Sequence, residues 1–205
     1  YDSLVEDGPY RPDAAGAGRR ALHATLLDLI AASDATRGCT LAMQQFSEAG
    51  NMTDRLSALA ALALLGGPTR EDALARFHAQ FAGDSLVLDK WFALQATIPE
   101  QSVIHRIAAL MTHPDFSLAN PNRVRALLGS FANGNLTRFH ALDGSGYDLL
   151  TRVVLELDGK NPQVAARLLS AWRSWRCGSC RCCAGWTPPR SRRRRDSSAS
   201  CEPEL

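Results

Sequence analysis

Two helix starts in the last third of the chain are followed by side chains suited to binding an anion. They begin with Asn-Pro, in NPNRVR (120–125) and NPQVAAR (161–167). The Asn side chain can accept a hydrogen bond from a free N–H of the first turn, and Pro has no N–H to leave unpaired there. A guanidinium fork can hold a carboxylate through two charge-assisted bonds. We therefore expect any chemistry of this chain to involve Arg123, Arg125, Gln163 and Arg167.

The spacing of these residues also allows a plainer interpretation. Gln163 and Arg167 lie four residues apart, which places them on one helix face. Polar residues at helical spacing commonly form a solvated face with no ligand. Spacing alone leaves both interpretations open.

Signatures of bond-breaking chemistry are missing from the sequence. None of the five histidines is followed by Glu or has a histidine partner four residues away, so a His-Glu-x-x-His zinc helix is absent. Ser145, in DGSGY (143–147), lacks the strand context of a hydrolase nucleophile. DGSGY instead predicts a tight link between helices, with glycines in left-handed backbone positions. His140 could pair with nearby Asp143, although a capping or surface role is favoured.

Apolar residues at helical spacing predict one helix after another, and no strand pattern occurs. The first helix is expected to bury a stripe of Leu22, Leu26, Leu29 and Ile30. A capping box is expected at Thr69, with Asp72 as its acidic member. The predicted helix starts are Asp13, Asp34, Thr53, Pro68, Asp84, Val103, Asn120, Tyr147 and Asn161. Short links imply antiparallel neighbours, so the sequence predicts an all-α fold of stacked helix pairs, an armadillo- or HEAT-like α-solenoid, with an irregular helical bundle as the alternative.

Charge and cysteine are unevenly distributed along the 205 residues. Before residue 172 acids outnumber bases and Cys39 is the single cysteine, a composition expected in a reducing cytoplasm. No apolar run approaches the length of about 18 residues that a membrane span needs. Residues 176–205 are rich in Arg and Cys and show no helical periodicity. We therefore expect a helical domain over 1–175 and an irregular tail over 176–205.

The tail has three competing explanations. A zinc knuckle could use Cys177, Cys180, Cys182 and Cys183, although no loop separates the two pairs. The run 190–195 could serve as a basic arm, but nucleic-acid binding is not favoured, because such runs are often only solvated. A shifted reading frame in GC-rich DNA would also yield this composition, and a tail of that origin is not expected to have a fixed fold.

Five ordered motifs resemble the C-terminal helical domain of bacterial zinc aminopeptidase N, the alanyl aminopeptidase family. They are GNMTD (50–54), DKWFALQA (89–96), NPNRVR, DGSGY and NPQVAAR, and the likeness covers roughly residues 1–171. Gly50 stands where this family usually has a second Asn, which predicts a weakened cap before Met52. The family's zinc-binding motif and its GAMEN strand are missing here, so we expect a fragment that by itself cleaves no peptide and holds no cofactor.

The resemblance implies an accessory role in a cytoplasmic peptide hydrolase. In the family this domain closes over the zinc-bearing catalytic domain of the same polypeptide and lines the far end of the bound peptide. Carried across by position, Gln163 and Arg167 are expected to line that end, with Arg123 and Arg125 as weaker candidates. For Arg167 a structural salt bridge is the alternative. For the whole chain the alternative is a free-standing helical-repeat scaffold that binds a protein or peptide.

Overall fold

The computed structural model describes residues 1–5 and 10–171. After a short 3₁₀ turn at Asp2–Leu4, the first half contains α1 (Ala14–Ser33), α2 (Ala35–Glu48), α3 (Met52–Leu65), α4 (Gly67–Phe81), α5 (Ser85–Ala96) and α6 (Val103–Met111). The second half contains α7 (Pro121–Val124), a π-helical segment (Arg125–Gly129), α8 (Ser130–Gly134), α9 (Leu136–Phe139), α10 (Ser145–Asp158) and α11 (Pro162–Leu169). The described residues contain no strand, which confirms the all-α prediction. The expectations for the tail at 176–205 lie outside the described residues.

Side-chain caps set most of the helix starts where the sequence predicted them. Asp13 accepts from the Gly16 N–H at 2.7 Å, and Asp34 and Asp84 cap α2 and α5 in the same way. Asn120 and Asn161 cap α7 and α11, each with Pro next to it in the first turn. Each cap satisfies an N–H group that the helix itself leaves without a partner.

Two predicted caps differ from the structure. The cap before Met52 is strong, because Asn51 accepts from the Asp54 N–H at 2.9 Å and its amide donates to the Asp54 carboxylate at 2.6 Å. This cap needs no second Asn at position 50, and it starts α3 ahead of the predicted residue. The capping box expected at Thr69 is wrong: α4 starts after Gly66, which lies at φ 80° and makes no side-chain cap.

The helices pack mainly on their neighbours in chain order. Through the first half each helix contacts the next one, from α1 on α2 to α5 on α6, and α10 packs on α11 near the end of the described chain. Helix α5 has further partners, because the π-helical segment and α8 also pack against it. Stacking of sequential helices around a continuous core is the arrangement of an α-solenoid.

The core is continuous, but α1 buries a different stripe from the predicted one. Leu22 and Leu29 are 50% and 61% exposed, whereas Arg20, His23 and Leu27 are buried. Both stripes have helical spacing, and only the position of α2 and α3 against α1 selects between them. The largest fully buried side chains lie further along the stack and include Phe77, Phe92, Phe131 and Phe139.

Buried polar side chains fix the second half of the stack on α5. The Arg123 guanidinium donates to the Asp89 carboxylate at 2.7 Å and to the Ser85 carbonyl at 3.3 Å. Asn135, between α8 and α9, donates to two carbonyls at and just after the end of α5, those of Ala96 and Ile98, at 3.1 and 2.8 Å. Such bonds replace water as the partner of groups that burial would otherwise leave unsatisfied. The segment from α7 to α9 is therefore held against α5 at both ends.

Across the described ranges, no helix is both long enough and apolar enough to cross a lipid bilayer.

Candidate functional site

Two of the predicted ligand-binding residues line one groove. A surface groove of about 500 Å³ runs between the π-helical segment, α8 and α11. Arg125 and Arg167 both contribute to it, although 42 positions separate them in the sequence. The complete lining is Thr97, Arg125, Gly129, Ser130, Asn133, Gly134, Arg167 and Leu168.

The π-helical segment places Arg125 at the groove. Arg123 belongs to α7 and points inward, whereas Arg125 is the first residue of the π-helical segment and is exposed. Its guanidinium donates to the Pro121 carbonyl at 3.1 Å and to the side-chain oxygen of Asn122. A π-helical turn inside an α-helix is rare and is frequently found at functional sites.

Arg167 reaches the groove from the other side. It lies in the last turn of α11, is exposed, and has no ion pair with any acid among the residues that the structure describes. The helix macrodipole is negative at this end, so the positive potential of the helix N-terminus acts near Gln163 and not near Arg167. An anion at Arg167 would therefore depend on the guanidinium itself.

The other two predicted residues lie elsewhere. Gln163 is exposed in the first turn of α11, one turn before Arg167, and is not part of the groove lining. Arg123 is 5% exposed, and its guanidinium contacts Asp89 and stands 5.0 Å from the Phe92 ring centroid. The structure therefore gives Arg123 a contact inside the fold and leaves Gln163 at the surface beside the groove.

The groove is lined by small and neutral polar residues between the two arginines. Gly134 lies so close to Thr97 that a Cβ at this position would stand 3.0 Å from the Thr97 Cγ2 atom. Ser130 and Asn133 add a hydroxyl and an amide, and no acidic residue belongs to the lining. Two guanidinium groups without a carboxylate in the same lining can bind an anionic group.

The DGSGY link is structural, but only one of its glycines is left-handed. Gly144 lies at φ 74°, as predicted, and the Asp143 carboxylate accepts from the Ser145 N–H at 3.0 Å and from its hydroxyl at 2.8 Å. These bonds lower the pKa of Asp143, the backbone bond first. Gly146 is needed for a different reason: a Cβ there would stand 2.4 Å from the Phe139 carbonyl oxygen. The link thus positions α10 closely against α9.

His140 does not pair with Asp143. Its Nδ1 atom lies 2.6 Å from the Tyr147 hydroxyl, and burial lowers its pKa. Burial disfavours the charged imidazolium, so the neutral ring is the form that fits this position.

A cluster that the sequence reasoning missed could hold a metal ion. Possible ligand atoms of His78, His113 and Asp115 all lie within 4.8 Å of one another. His113 and Asp115 are two residues apart, which is a visible signal, but His78 lies on α4, 35 residues before His113. No local spacing could have connected it to the other two.

The first residues of the sequence border a second cavity that was also not predicted. It measures about 350 Å³, lies between α1, α2 and the start of α3, and includes Tyr1, Tyr10 and Gln45. The Tyr1 hydroxyl donates to the Gln45 side-chain oxygen at 2.5 Å. Tyr1 therefore forms part of the wall.

Comparison with known proteins connects this chain to peptidases. A family model described as a domain of unknown function, DUF3458_C, with ARM repeats, matches residues 1–179. Aminopeptidase N of Caulobacter vibrioides is 42% identical over 176 residues, which cover 86% of this chain and 20% of the relative. Aminopeptidase N of Escherichia coli K12 is 39% identical over 160 residues, covering 78% of this chain and 18% of the relative.

A solved structure shows the same fold. The crystal structure of Legionella pneumophila aminopeptidase A in complex with aspartic acid matches with a TM-score of 0.77 and 32% sequence identity. The match covers 84% of this chain and 21% of the Legionella chain. The chain thus spans about a fifth of the length of these relatives.

Proposed function

The chain belongs to the ARM-repeat family that forms the C-terminal domain of aminopeptidase N, and on this basis we propose that it helps a zinc aminopeptidase to hold its peptide substrate. In this proposal the domain closes over the catalytic domain of the same polypeptide and lines the far end of the bound peptide. The active-site zinc and the chemistry belong to the rest of the enzyme, because the His-Glu-x-x-His motif is absent from this sequence. A cytoplasmic location is part of the same proposal.

The observation that supports the proposal is the meeting of Arg125 and Arg167 in one groove. A peptide bound by its amino terminus presents a carboxylate at its other end. Two guanidinium groups that line one groove can hold that carboxylate by charge-assisted bonds, and the small residues of the lining leave room for the peptide backbone.

The four candidate residues take different parts in this proposal. Arg167 is the principal ligand, because no acid in the described residues neutralises it, and Arg125 assists from the π-helical segment. Gln163, one turn away on α11, would contact the peptide beside the groove. Arg123 acts indirectly, by holding the segment that carries Arg125 against Asp89.

The domain boundary is also a proposal. We assign residues 1–175 to the helical domain and residues 176–205 to a separate tail. The family match to residues 1–179 and the stacked helices up to α11 support the first part.

The proposal is tested by kinetics of the intact aminopeptidase on two peptides that differ only in having a C-terminal carboxylate or a C-terminal amide. A hydrogen bond to a charged group contributes about 1.5–3 kcal/mol when water is excluded. We therefore expect Arg167→Ala to lower kcat/KM for the free acid about 10–150-fold and to leave the amide nearly unchanged. Arg125→Ala is expected to act in the same direction.

Arg152→Ala is the matched control, because Arg152 is exposed on α10 and does not line the groove. Equal losses on the acid and the amide would show that Arg167 acts on the fold or the domain interface. No loss on either peptide would refute the proposed role in binding.

A further inference from the structure

Two imidazoles and a carboxylate meet where the end of α4 approaches the link between α6 and α7. His78 lies in the last turn of α4, and His113 and Asp115 follow α6. The His78 Nε2 atom is 2.7 Å from the Asp115 Oδ2 atom, and the His113 Nδ1 atom is 3.6 Å from the same oxygen. Their side chains are between 25% and 35% exposed, so the cluster is open to solvent on one side.

We propose that His78, His113 and Asp115 form a binding site for a divalent transition-metal ion, with Zn²⁺ as the first candidate. The site is independent of the arginine groove and of the proposed function. It would use three protein ligands and leave a fourth position for water, a coordination that zinc accepts.

The distances fit a small metal ion. Zinc binds His nitrogen and Asp oxygen at about 2.0–2.2 Å, which places tetrahedral ligand atoms roughly 3.4 Å apart. The two separations from the Asp115 oxygen, 2.7 and 3.6 Å, lie on either side of that value, and all three ligand atoms lie within 4.8 Å of one another. Coordination therefore requires the His78–Asp115 contact to open by about 0.7 Å, a shift that rotation of the partly exposed Asp115 side chain can supply.

The rings are already held in place. The His78 ring centroid lies 4.8 Å from that of Trp91, which is itself fixed by a 3.0 Å hydrogen bond from its indole N–H to the Leu74 carbonyl. The His113 ring lies 5.4 Å from Trp91 and 4.9 Å from the His78 ring. Ligands whose orientation is fixed before the ion arrives lose less freedom on binding it.

The tautomer of His113 also favours coordination. The backbone N–H of Asp115 points to the His113 Nδ1 atom at 3.2 Å, so this nitrogen carries a lone pair and not a proton. Metal binding exchanges that long hydrogen bond for a coordinate bond. At His78, coordination through the Nε2 atom requires the neutral ring to carry its proton on Nδ1.

The charge around the cluster is favourable. Among residues 1–5 and 10–171, the basic side chains within 4 Å of the Asp115 carboxylate are the two histidines, with no Arg or Lys. A cation can therefore bind this carboxylate without displacing a permanent positive charge. Two imidazoles and one carboxylate are ligands that suit Zn²⁺ and its neighbours better than Mg²⁺ or Ca²⁺.

A bound ion would connect α4 to the segment after α6. Because the ion binds the folded chain, it raises the melting temperature. At a free ion concentration about 100 times Kd, we expect a rise of about 5–10 °C for a chain of this size.

The experiment uses the full 205-residue chain with its five tail cysteines replaced by Ser, because thiolates at positions 177, 180, 182, 183 and 201 would compete for the ion. Zn²⁺ binding is measured by calorimetry and by the shift in Tm, and Co²⁺ serves as a visible-absorption probe of coordination. We expect one ion per chain.

Three variants in the same background decide the assignment. His113→Ala and Asp115→Asn should weaken binding by at least about 10–100-fold, the range that loss of even an outer-sphere partner produces. Asp115→Asn keeps the shape of the side chain and can still accept a hydrogen bond from His78, so it separates metal binding from folding. His105→Ala, on the exposed face of α6, is the control and should bind like the parent chain.

Two results would overturn the proposal. Equal affinity in the parent chain and in Asp115→Asn would place the ion at another site. No binding by the parent chain would leave His78 and Asp115 as a hydrogen-bonded pair only.

Discussion

Replacing Arg123 by Met tests whether this arginine stabilises the fold. Arg125, two positions further on, lines the groove instead and is not changed in this variant. The Arg123 guanidinium bonds Asp89 at 2.7 Å inside the protein, and the two side chains are 6% and 18% exposed. It also donates to the Ser85 carbonyl and lies over the Phe92 ring. Met keeps much of the aliphatic volume, so Arg123→Met removes mainly the charge and its hydrogen bonds.

The expected loss of folding stability depends on the Asp89 carboxylate, which Arg123→Met leaves buried without its partner. Removing one partner of a buried ion pair costs about 3–5 kcal/mol, because the other charge stays buried without compensation. Asp89 retains some contact with water, so we expect a loss near the lower limit, about 3 kcal/mol. For a chain of this size that corresponds to a decrease in Tm of about 6–12 °C.

The measurement is thermal and urea unfolding of the full chain, with Arg125→Met as the matched control. Arg125 is exposed and bonds only within its own turn among the described residues, so its replacement should change stability by no more than about 0.5 kcal/mol. The double variant Arg123→Met/Asp89→Leu should recover much of the loss, since no charge is left buried. Equal effects of Arg123→Met and Arg125→Met would refute this account of the buried pair.

Two further predictions concern packing and pH. Gly146→Ala should destabilise the chain by about 1–3 kcal/mol in urea unfolding, because the new Cβ would stand 2.4 Å from the Phe139 carbonyl oxygen. Gly159→Ala is the control and should be nearly neutral, because the space around its Cβ is open. The hydrogen bond from Arg70 holds the pKa of Glu100 below its usual value of 4.5. As the pH falls, the Glu100 carboxylate is therefore protonated in the unfolded chain before it is protonated in the folded chain. The stability of the fold decreases as the pH falls below about 4.5. Glu100→Gln should flatten that part of the profile of urea midpoint against pH, and an unchanged slope would contradict the assignment.

Helix starts were predictable because capping acts over a few residues. Asp13, Asp34, Asp84, Asn120 and Asn161 each cap the helix that the sequence assigned to them. A cap requires only a short polar side chain and the free N–H groups two or three residues later. The same local logic failed at Thr69 because Gly66, at positive φ, starts the helix before that residue is reached.

The choice of buried face was less predictable. In α1 the pattern of leucines indicated a stripe that the structure leaves partly exposed at Leu22 and Leu29. In the NPNRVR segment (120–125), Arg123 and Arg125 looked equivalent in sequence, yet Arg123 is buried against Asp89 and Arg125 lines the groove. Burial depends on where the neighbouring helices lie, and residues far away in the sequence determine that.

The sequence by itself determined the helical class, most helix starts and, through its motifs, the family. These depend on contacts within one or two turns or on residues in a fixed order. Only the tertiary structure decided that Arg125 and Arg167 line one groove, that Arg123 does not line it, and that His78 lies close to His113 and Asp115. These arrangements require helices that are distant in sequence to pack with particular faces toward each other. A π-helical turn or a single glycine can change which face a helix presents, and residue spacing in the sequence does not show this.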